Sequence, residues 1–415
     1  MSKELYTGEL YWPMTLPDYS SYPPLRMNKR VRVAIIGGGM SGTLCGYRLA
    51  REGISTVLLE RGEVAGGSSS ANTGLLQFSN DMMLTEMIDR IGENEAHTFY
   101  AACREAVEDL ARVAEELGCD VGFSRRSSLY YASHEEDVPR LRREYEALFH
   151  AGFDVEYLEE EQIERLFPFR KHGAIVTHGD AELNPFRFVH ALAEAGSVSG
   201  LRIHEDTDVI GHEQLPNGRH KLRTSDGYWV EAEHVIYAIG YEPEELRGQL
   251  IGANLNRSFA MVTEPVSEDE LAHWHKRWLI WETARPYLYM RTTPDNRIII
   301  GGLDESCPQP VQDEALLREH TERLYAKLQA HIPGITAPVT AQWSATFGES
   351  RDGLPFIGRD PKYASVYYCL GYGGNGTVYS MMASSLLLEM INGKADSPLA
   401  EIVRLDRETM VEQLA

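Results

Sequence analysis

The chain has few cysteines, no metal-binding signature, no long apolar run and no excess of basic residues, and each shortage closes off a class of function. Its five cysteines, Cys45, Cys103, Cys119, Cys307 and Cys369, are scattered and odd in number, and none falls in CxxC spacing. That excludes a disulfide framework and a thiolate zinc site, and fits a reducing cytoplasm. No HExxH occurs, and His273-Trp274-His275 has no third ligand at useful spacing, so no metal is expected. No stretch of roughly 18 apolar residues is present, and residues 1–30 lack the basic start and apolar core of a signal peptide. Neither a membrane span nor secretion is expected. The formal net charge of −22 disfavours a nucleic-acid or anionic-membrane partner, because both need a basic face to displace counterions.

What is present is a chain of 415 residues, 43% hydrophobic and 25% charged, long enough for two domains with real cores. Residues 1–30 set Tyr6, Tyr11, Trp12, Tyr19 and Tyr22 among Pro13, Pro17, Pro23 and Pro24. The prolines predict an extended arm without regular helix, packed on the surface as a tether in preference to reaching a neighbouring subunit.

Residues 31–36 are β-branched and apolar like a strand buried on both faces, 41–52 have helical spacing ending at Gly53, and 54–59 read as a second buried strand. In this βαβ unit Gly37 permits a tight turn, Gly39 lets the backbone approach a pyrophosphate, and Gly42 allows the helix to pack closely on the strand. Met40 and Ser41 open the helix, whose N-terminal N–H groups favour anions. Glu60 closes the second strand about 20 residues on, where a carboxylate accepts hydrogen bonds from both ribose hydroxyls of an adenosine. Its charge would repel a 2′-phosphate, which disfavours NADP.

Further motifs point beyond a nicotinamide site. Residues 66–74 form a small, hydroxyl-rich loop suited to a second phosphate or a ribityl chain, and Leu75-Leu76-Gln77-Phe78 then returns to apolar character. Helical periodicity is predicted over 81–118, a strand over 129–132, a helix over 135–150 and a strand over 154–158. Pro185 reads as the first turn of a helix. Short strands follow at 202–205, 208–212, 221–224 and 229–231, and a buried strand over 234–241 includes Gly240. Residues 286–291 and 297–302 read as a hairpin that places Tyr287, Tyr289 and Arg291 on one face. Near the C-terminus, Asp352-Gly353-Leu354-Pro355 turns into a strand, 366–370 is another, and Gly371-Tyr372-Gly373-Gly374-Asn375-Gly376-Thr377 opens a helix over 378–392. A helix N-terminus there would stabilise negative charge on a reduced flavin.

Five features occur together: the glycine turn with Glu60, the Ser69-x-x-Asn72-x-Gly74 loop, the strand ending Ala238-Ile239-Gly240, the Asp352-Gly353-Leu354-Pro355 turn, and the Gly373-x-x-Gly376 helix entry. In this order over most of the chain they resemble the D-amino-acid oxidase family of FAD-dependent oxidoreductases. The Tyr11-Trp12 arm and the 286–302 hairpin are most similar to its gamma-glutamylputrescine oxidase-like branch.

The resemblance implies an α/β fold: a discontinuous Rossmann-type FAD-binding domain and a second, α+β substrate domain with a mixed sheet. The division read from the sequence is an arm over 1–30, an FAD-binding domain over 31–80, 170–250 and 341–415, and a substrate domain over 81–169 and 251–340. It implies oxidation of a C–N bond of an amine or amino acid, with oxygen or another acceptor taking the electrons. FAD contacts would involve Gly37, Gly39, Met40, Ser41, Gly42, Glu60 and Arg61, then Ser69, Asn72, Thr73 and Gly74. Val209, Gly240, Gly373, Gly374, Asn375, Gly376 and Thr377 complete the cofactor set.

Members that tether FAD covalently use a cysteine shortly before the Asp-Gly turn, whereas residues 343–348 hold none, and residues 62–80 hold neither His nor Cys. FAD is therefore expected to be non-covalent. Relatives that hold an amino-acid carboxylate use arginine or lysine where this chain offers Gln77, Gly374 and Val378. Arg291 or Arg351 could substitute, and an amine without that carboxylate is equally open. Tyr289 and Tyr372 are further pocket candidates, and no catalytic base is assigned. Two other readings stand beside this one: an NAD-dependent dehydrogenase, which leaves the 66–74 loop and the C-terminal glycine helix without a role, and a non-catalytic flavin-binding protein.

Overall fold

In a computed structural model of the chain, residues 5–241, 253–394 and 397–411 are described. The βαβ unit organises the first of two sheets. Strand Lys29–Ile36 is central and parallel to Trp229–Tyr237 on one side and Thr56–Leu59 on the other. Val366–Leu370 and Arg202–His204 extend this parallel core outward, with Phe356–Arg359 antiparallel at one edge. Val33, Ala34 and Ile35 are fully buried, which explains their continuous apolar run: a strand covered on both faces has no solvent side. Helix Met40–Arg51 packs between helices Pro185–Val198 and Gly376–Ile391. Asn184 caps Pro185–Val198 by accepting from the Phe186 and Arg187 N–H groups, leaving Pro185 at the position where no N–H is needed.

The second sheet has ten strands and is mixed. Its order runs Tyr6–Gly8, Val339–Ser350, Ala253–Thr263, Ile298–Glu305, Tyr289–Thr292, Leu279–Glu282, Ser124–Tyr131, Gly173–Glu182 and Leu75–Leu76, with Val155–Glu159 also on Gly173–Glu182. The expected hairpin is there: Tyr289 faces Gly301 and Met290 faces Ile300. The α/β class with a second mixed sheet is the observed architecture.

Strand pairing departs from the sequence division at several places. Residues 173–182 and 341–350 were grouped with the nucleotide unit, yet both strands hydrogen-bond within the ten-stranded sheet. Leu75–Leu76, also grouped with the nucleotide unit, pairs there as well. Conversely, helix Glu93–Glu116, grouped with the substrate unit, packs on Gly376–Ile391 beside the parallel sheet. Local patterning fixes the element type but carries no information on its distant partner. Residues 229–231 and 234–237 are one strand, Trp229–Tyr237. The division at 250/251 lies outside the described residues.

The N-terminal arm also differs from expectation. Tyr6–Gly8 adds an edge strand against Trp343–Ala345, and Tyr11–Met14 makes one helical turn with Tyr11 and Trp12 buried. Pro13 is compatible with that turn because first-turn N–H groups have no intrahelical acceptor. Trp12 Nε1 donates to the Asn72 carbonyl at 2.6 Å, and Trp343 Nε1 donates to the Ala71 carbonyl at 2.8 Å. The arm is thereby part of what holds the 66–74 loop.

Candidate cofactor and active site

One cavity of about 1090 Å³ runs between the two sheets. Gly37, Gly39, Glu60 and Arg61 line one end, the 66–74 loop its middle, and Gly373 to Thr377 the other end. Its volume is at the top of the range of about 300–1,000 Å³ typical of small-molecule sites, so it suits an extended ligand together with a second, smaller one.

The nucleotide end is built from backbone. Gly37 has φ +107°, and a Cβ there would lie 2.3 Å from the Ala238 carbonyl oxygen. Gly42 stands behind the cavity rather than in its lining: a Cβ on it would lie 1.9 Å from the Gly37 carbonyl oxygen, so the helix can approach the strand only without a side chain. Glu60 accepts from the Gly38 N–H at 2.6 Å and the Gly62 N–H at 2.9 Å. Burial raises its carboxyl above the ordinary glutamate value, against those two N–H groups and Arg61. Val209 lines the same end, two residues after Thr207, whose N–H donates to the Glu60 carbonyl.

The loop and the two helices are tied to one another. Ser69 Oγ accepts the Met40 N–H at 2.8 Å, and Ser41 Oγ lies 2.8 Å from Ser380 Oγ on the C-terminal helix. Asn72 Oδ1 accepts the Gly74 N–H, folding the loop on itself. Ser68 Oγ, in the cavity lining, is buried and has no partner. Ser69, Asn72, Thr73, Gly74, Met40, Ser41 and Gly240 all line the cavity.

At the far end, residues 79–81 clamp the C-terminal glycine loop. Asn375 Nδ2 donates to the Ser79 carbonyl at 2.6 Å, Tyr379 Oη donates to Asn80 Oδ1 at 2.7 Å, and Asp81 Oδ2 accepts the Gly374 N–H at 2.8 Å. The ten-stranded sheet supplies Tyr287, Tyr289 and Trp281 to this end. Gly301 lies opposite Tyr289 and a Cβ there would collide with the phenol ring, so glycine lets that ring lie across the strand. Gln77 is buried, donating to Ser128 Oγ at 3.2 Å, and Tyr372 packs edge-on to Tyr241. Both line the cavity.

The two arginine candidates lie elsewhere. Arg291 is 1% exposed and paired with Glu182 at 3.3 Å, and its Nη2 donates to the Leu183 carbonyl at 2.9 Å. It braces Gly74 from behind, because the strand carrying Tyr289 runs from the cavity into the interior before reaching residue 291. Arg351 is exposed at the turn after Val339–Ser350, outside the lining. The neighbouring Asp352 is held by Arg407 Nη2 at 2.8 Å, so the Asp352-Gly353 turn is pinned structurally. Sequence reasoning did not single out Asp81, Trp281, Ser258 or Asp304, all in the lining. Isolated acids and a tryptophan in irregular positions carry no periodic signal. Only Asp81 had a local pointer, the apolar run that ends just before it.

The residues present fit FAD: backbone N–H groups and hydroxyls at a helix N-terminus, a ribose acceptor, an unpaired buried hydroxyl, and a second helix N-terminus at the far end. No cysteine or histidine is among the described lining residues. A family model described as FAD dependent oxidoreductase (DAO) matches residues 32–390. Glycine oxidase of Geobacillus kaustophilus is 26% identical over 89% of this chain and 94% of its own length. Gamma-glutamylputrescine oxidoreductase of Escherichia coli is 23% identical over 93% of this chain and 89% of its own. The crystal structure of the Geobacillus kaustophilus glycine oxidase superposes with a TM-score of 0.77 at 22% identity, covering 89% of this chain and 96% of that one. With the family model spanning both sheets and the glycine loops at each end of the cavity, the chain belongs to the DAO family of FAD-dependent oxidoreductases, and FAD is its cofactor.

Proposed function

We propose that the protein oxidises the C–N bond of a small amine or amino acid. One observation carries this reading: the cavity does not end with the nucleotide-binding elements but continues to a compartment walled by Tyr287, Tyr289 and Trp281 of the other sheet. A purely structural cofactor needs no such compartment, which disfavours the flavin-binding reading without catalysis. The names of the relatives, glycine oxidase and gamma-glutamylputrescine oxidoreductase, support an amine or amino-acid substrate.

Bound FAD would supply the hydride acceptor, so that the carbon beside nitrogen gives up a hydride and the nitrogen a proton, and the resulting imine takes up water to give a carbonyl and an amine or ammonia. The chain's own residues bind and orient. Glu60 accepts from the ribose, Gly39, Ser41 and the 66–74 segment present donors to the phosphates, and the Gly373 to Thr377 loop directs a helix N-terminus at the flavin end. Tyr287, Tyr289 and Trp281 wall the substrate end and exclude water, so that positioning contributes a large share of the rate. The cofactor is held without a covalent bond, and the free cysteines suit a reducing compartment, the cytoplasm. Among the described residues no helix is long and apolar enough to cross a membrane.

The test is anaerobic titration of the purified yellow protein with amines and amino acids. Bleaching of the flavin absorbance, with the matching carbonyl recovered as product, is expected. A flavin that dithionite reduces but no amine or amino acid does would contradict the reading.

A further inference from the structure

Among the described lining residues, the substrate end of the cavity supplies negative charge and aromatic faces, but no cation. Among the described lining residues Arg61 is the one arginine or lysine, and it sits beside Glu60 at the opposite end. Around the Gly373 to Thr377 loop the charged lining residues are Asp81 and Asp304, with half-buried Glu349 behind them, engaged by Asn256 Nδ2 at 2.8 Å. Asp304 Oδ1 is buried and has no hydrogen-bond partner. Burial raises this carboxyl to about 7, with Glu349 and Asp81 adding to the effect and Ser258 and the Arg285 charge opposing it. The nearest cation, Arg285, is outside the lining: its Nη2 donates to the Asp81 carbonyl at 2.7 Å and its guanidinium stacks 4.7 Å over the Tyr287 ring.

The walls have matching chemistry. Tyr287 and Tyr289 stand 5.6 Å apart, and Trp281, 5% exposed, stacks on Tyr130 at 3.8 Å. Such rings attract an ammonium through their negative faces. Trp281 Nε1 is itself buried without a partner, a donor left for an acceptor atom of a bound molecule.

We propose that the substrate enters as the ammonium form of an amine that bears no carboxylate on its reacting carbon, with Asp304 as the residue that selects it. This rests on the C–N oxidation reading above and narrows it. An α-carboxylate in this compartment would meet Asp304 and Asp81, with Glu349 behind them and no arginine or lysine among the described lining residues of this end to receive it. Like-charge contact of that kind disfavours amino acids, and the unpaired acceptor favours amines. Asp81 accepts the Gly374 N–H through Oδ2, whereas Asp304 Oδ1 is the buried carboxylate oxygen of this compartment with no partner.

The experiment uses FAD-loaded protein and two probes that cannot be oxidised at the carbon beside the charged group: tert-butylammonium and its carboxylate counterpart pivalate. Binding is read from the shift in flavin absorbance. Tert-butylammonium is expected to bind and pivalate is not. Asp304→Asn is expected to weaken the ammonium probe about 10- to 150-fold, the value of a hydrogen bond to a charged group, at unchanged FAD content. Asp304→Ala serves as the second variant if the amide disturbs FAD content. Tighter binding of pivalate than of tert-butylammonium, or wild-type ammonium affinity in both variants, overturns the inference. Ammonium binding that depends on Asp304, with no oxidisable amine able to bleach the flavin, leaves this assignment standing and removes the C–N reading. Bleaching by α-amino acids and not by simple amines does the reverse.

Discussion

Replacing Glu60 tests how the nucleotide end works. Its carboxylate accepts two backbone N–H groups, from Gly38 and Gly62, and retains lone pairs facing the cavity for the ribose. Losing a charged acceptor costs about 1.5–3 kcal/mol, so Glu60→Ala weakens FAD binding about 10- to 150-fold. Glu60→Gln keeps one acceptor oxygen and falls between. Protonation adds a second handle. Burial raises the Glu60 carboxyl above the ordinary glutamate value in the cofactor-free protein, so this group's contribution to folding is present at low pH and lost as pH rises through its folded value. Ribose donors favour the ionised form, so FAD affinity runs the other way: it strengthens as pH rises through that value and falls on acidification, beginning above the range in which an exposed glutamate titrates. Flavin fluorescence on release, followed against pH for wild type and Glu60→Gln, measures both effects. Wild-type affinity in Glu60→Ala, or the same acid release profile in Glu60→Gln, would remove Glu60 from the site.

Other consequences follow from the same geometry. Trp12→Phe removes the indole donor to the Asn72 carbonyl and is expected to cost about 0.5–1.5 kcal/mol of stability and to speed FAD loss, seen as a lower melting temperature and faster flavin release; an unchanged off-rate would show that the arm does not brace the loop. Glu182→Gln strands Arg291, a buried guanidinium that burial already pushes below its ordinary value, and is expected to cost about 3–5 kcal/mol in denaturant melts while leaving the preference among substrates unchanged. A changed preference would return Arg291 to the substrate pocket. Acid precipitation is expected to leave the yellow colour in the supernatant, because no cysteine or histidine is among the described cavity-lining residues; colour in the pellet would contradict non-covalent binding.

How much was legible in the sequence depended on the range of each contact. The turn at Gly37 to Gly42 and the acid at Glu60 are governed by neighbours within one βαβ unit, and so their spacing alone led to them. The Tyr287–Tyr289 face followed from the period of a strand. Arg291 obeyed the same period yet proved to be interior, because its partner Glu182 comes from a strand whose place in the sheet no local pattern reveals. For the same reason the sequence division groups residues 173–182 and 341–350 with the FAD-binding unit although their strands pair within the ten-stranded sheet. Asp304 shows the limit most clearly: a single aspartate following Gly301-Gly302-Leu303 has no signature until folding brings Asp81, Tyr287 and Tyr289 to it from other segments. The clamp of residues 79–81 on the 373–377 loop is likewise invisible in sequence, although each half was marked separately.

The central claim, hydride removal from the carbon beside nitrogen, is tested most directly by stopped-flow reduction of the bound flavin with an amine carrying deuterium at that carbon. The account predicts slower flavin reduction with the deuterated amine than with the protiated one. Equal rates under conditions where reduction itself limits the observed signal would contradict it.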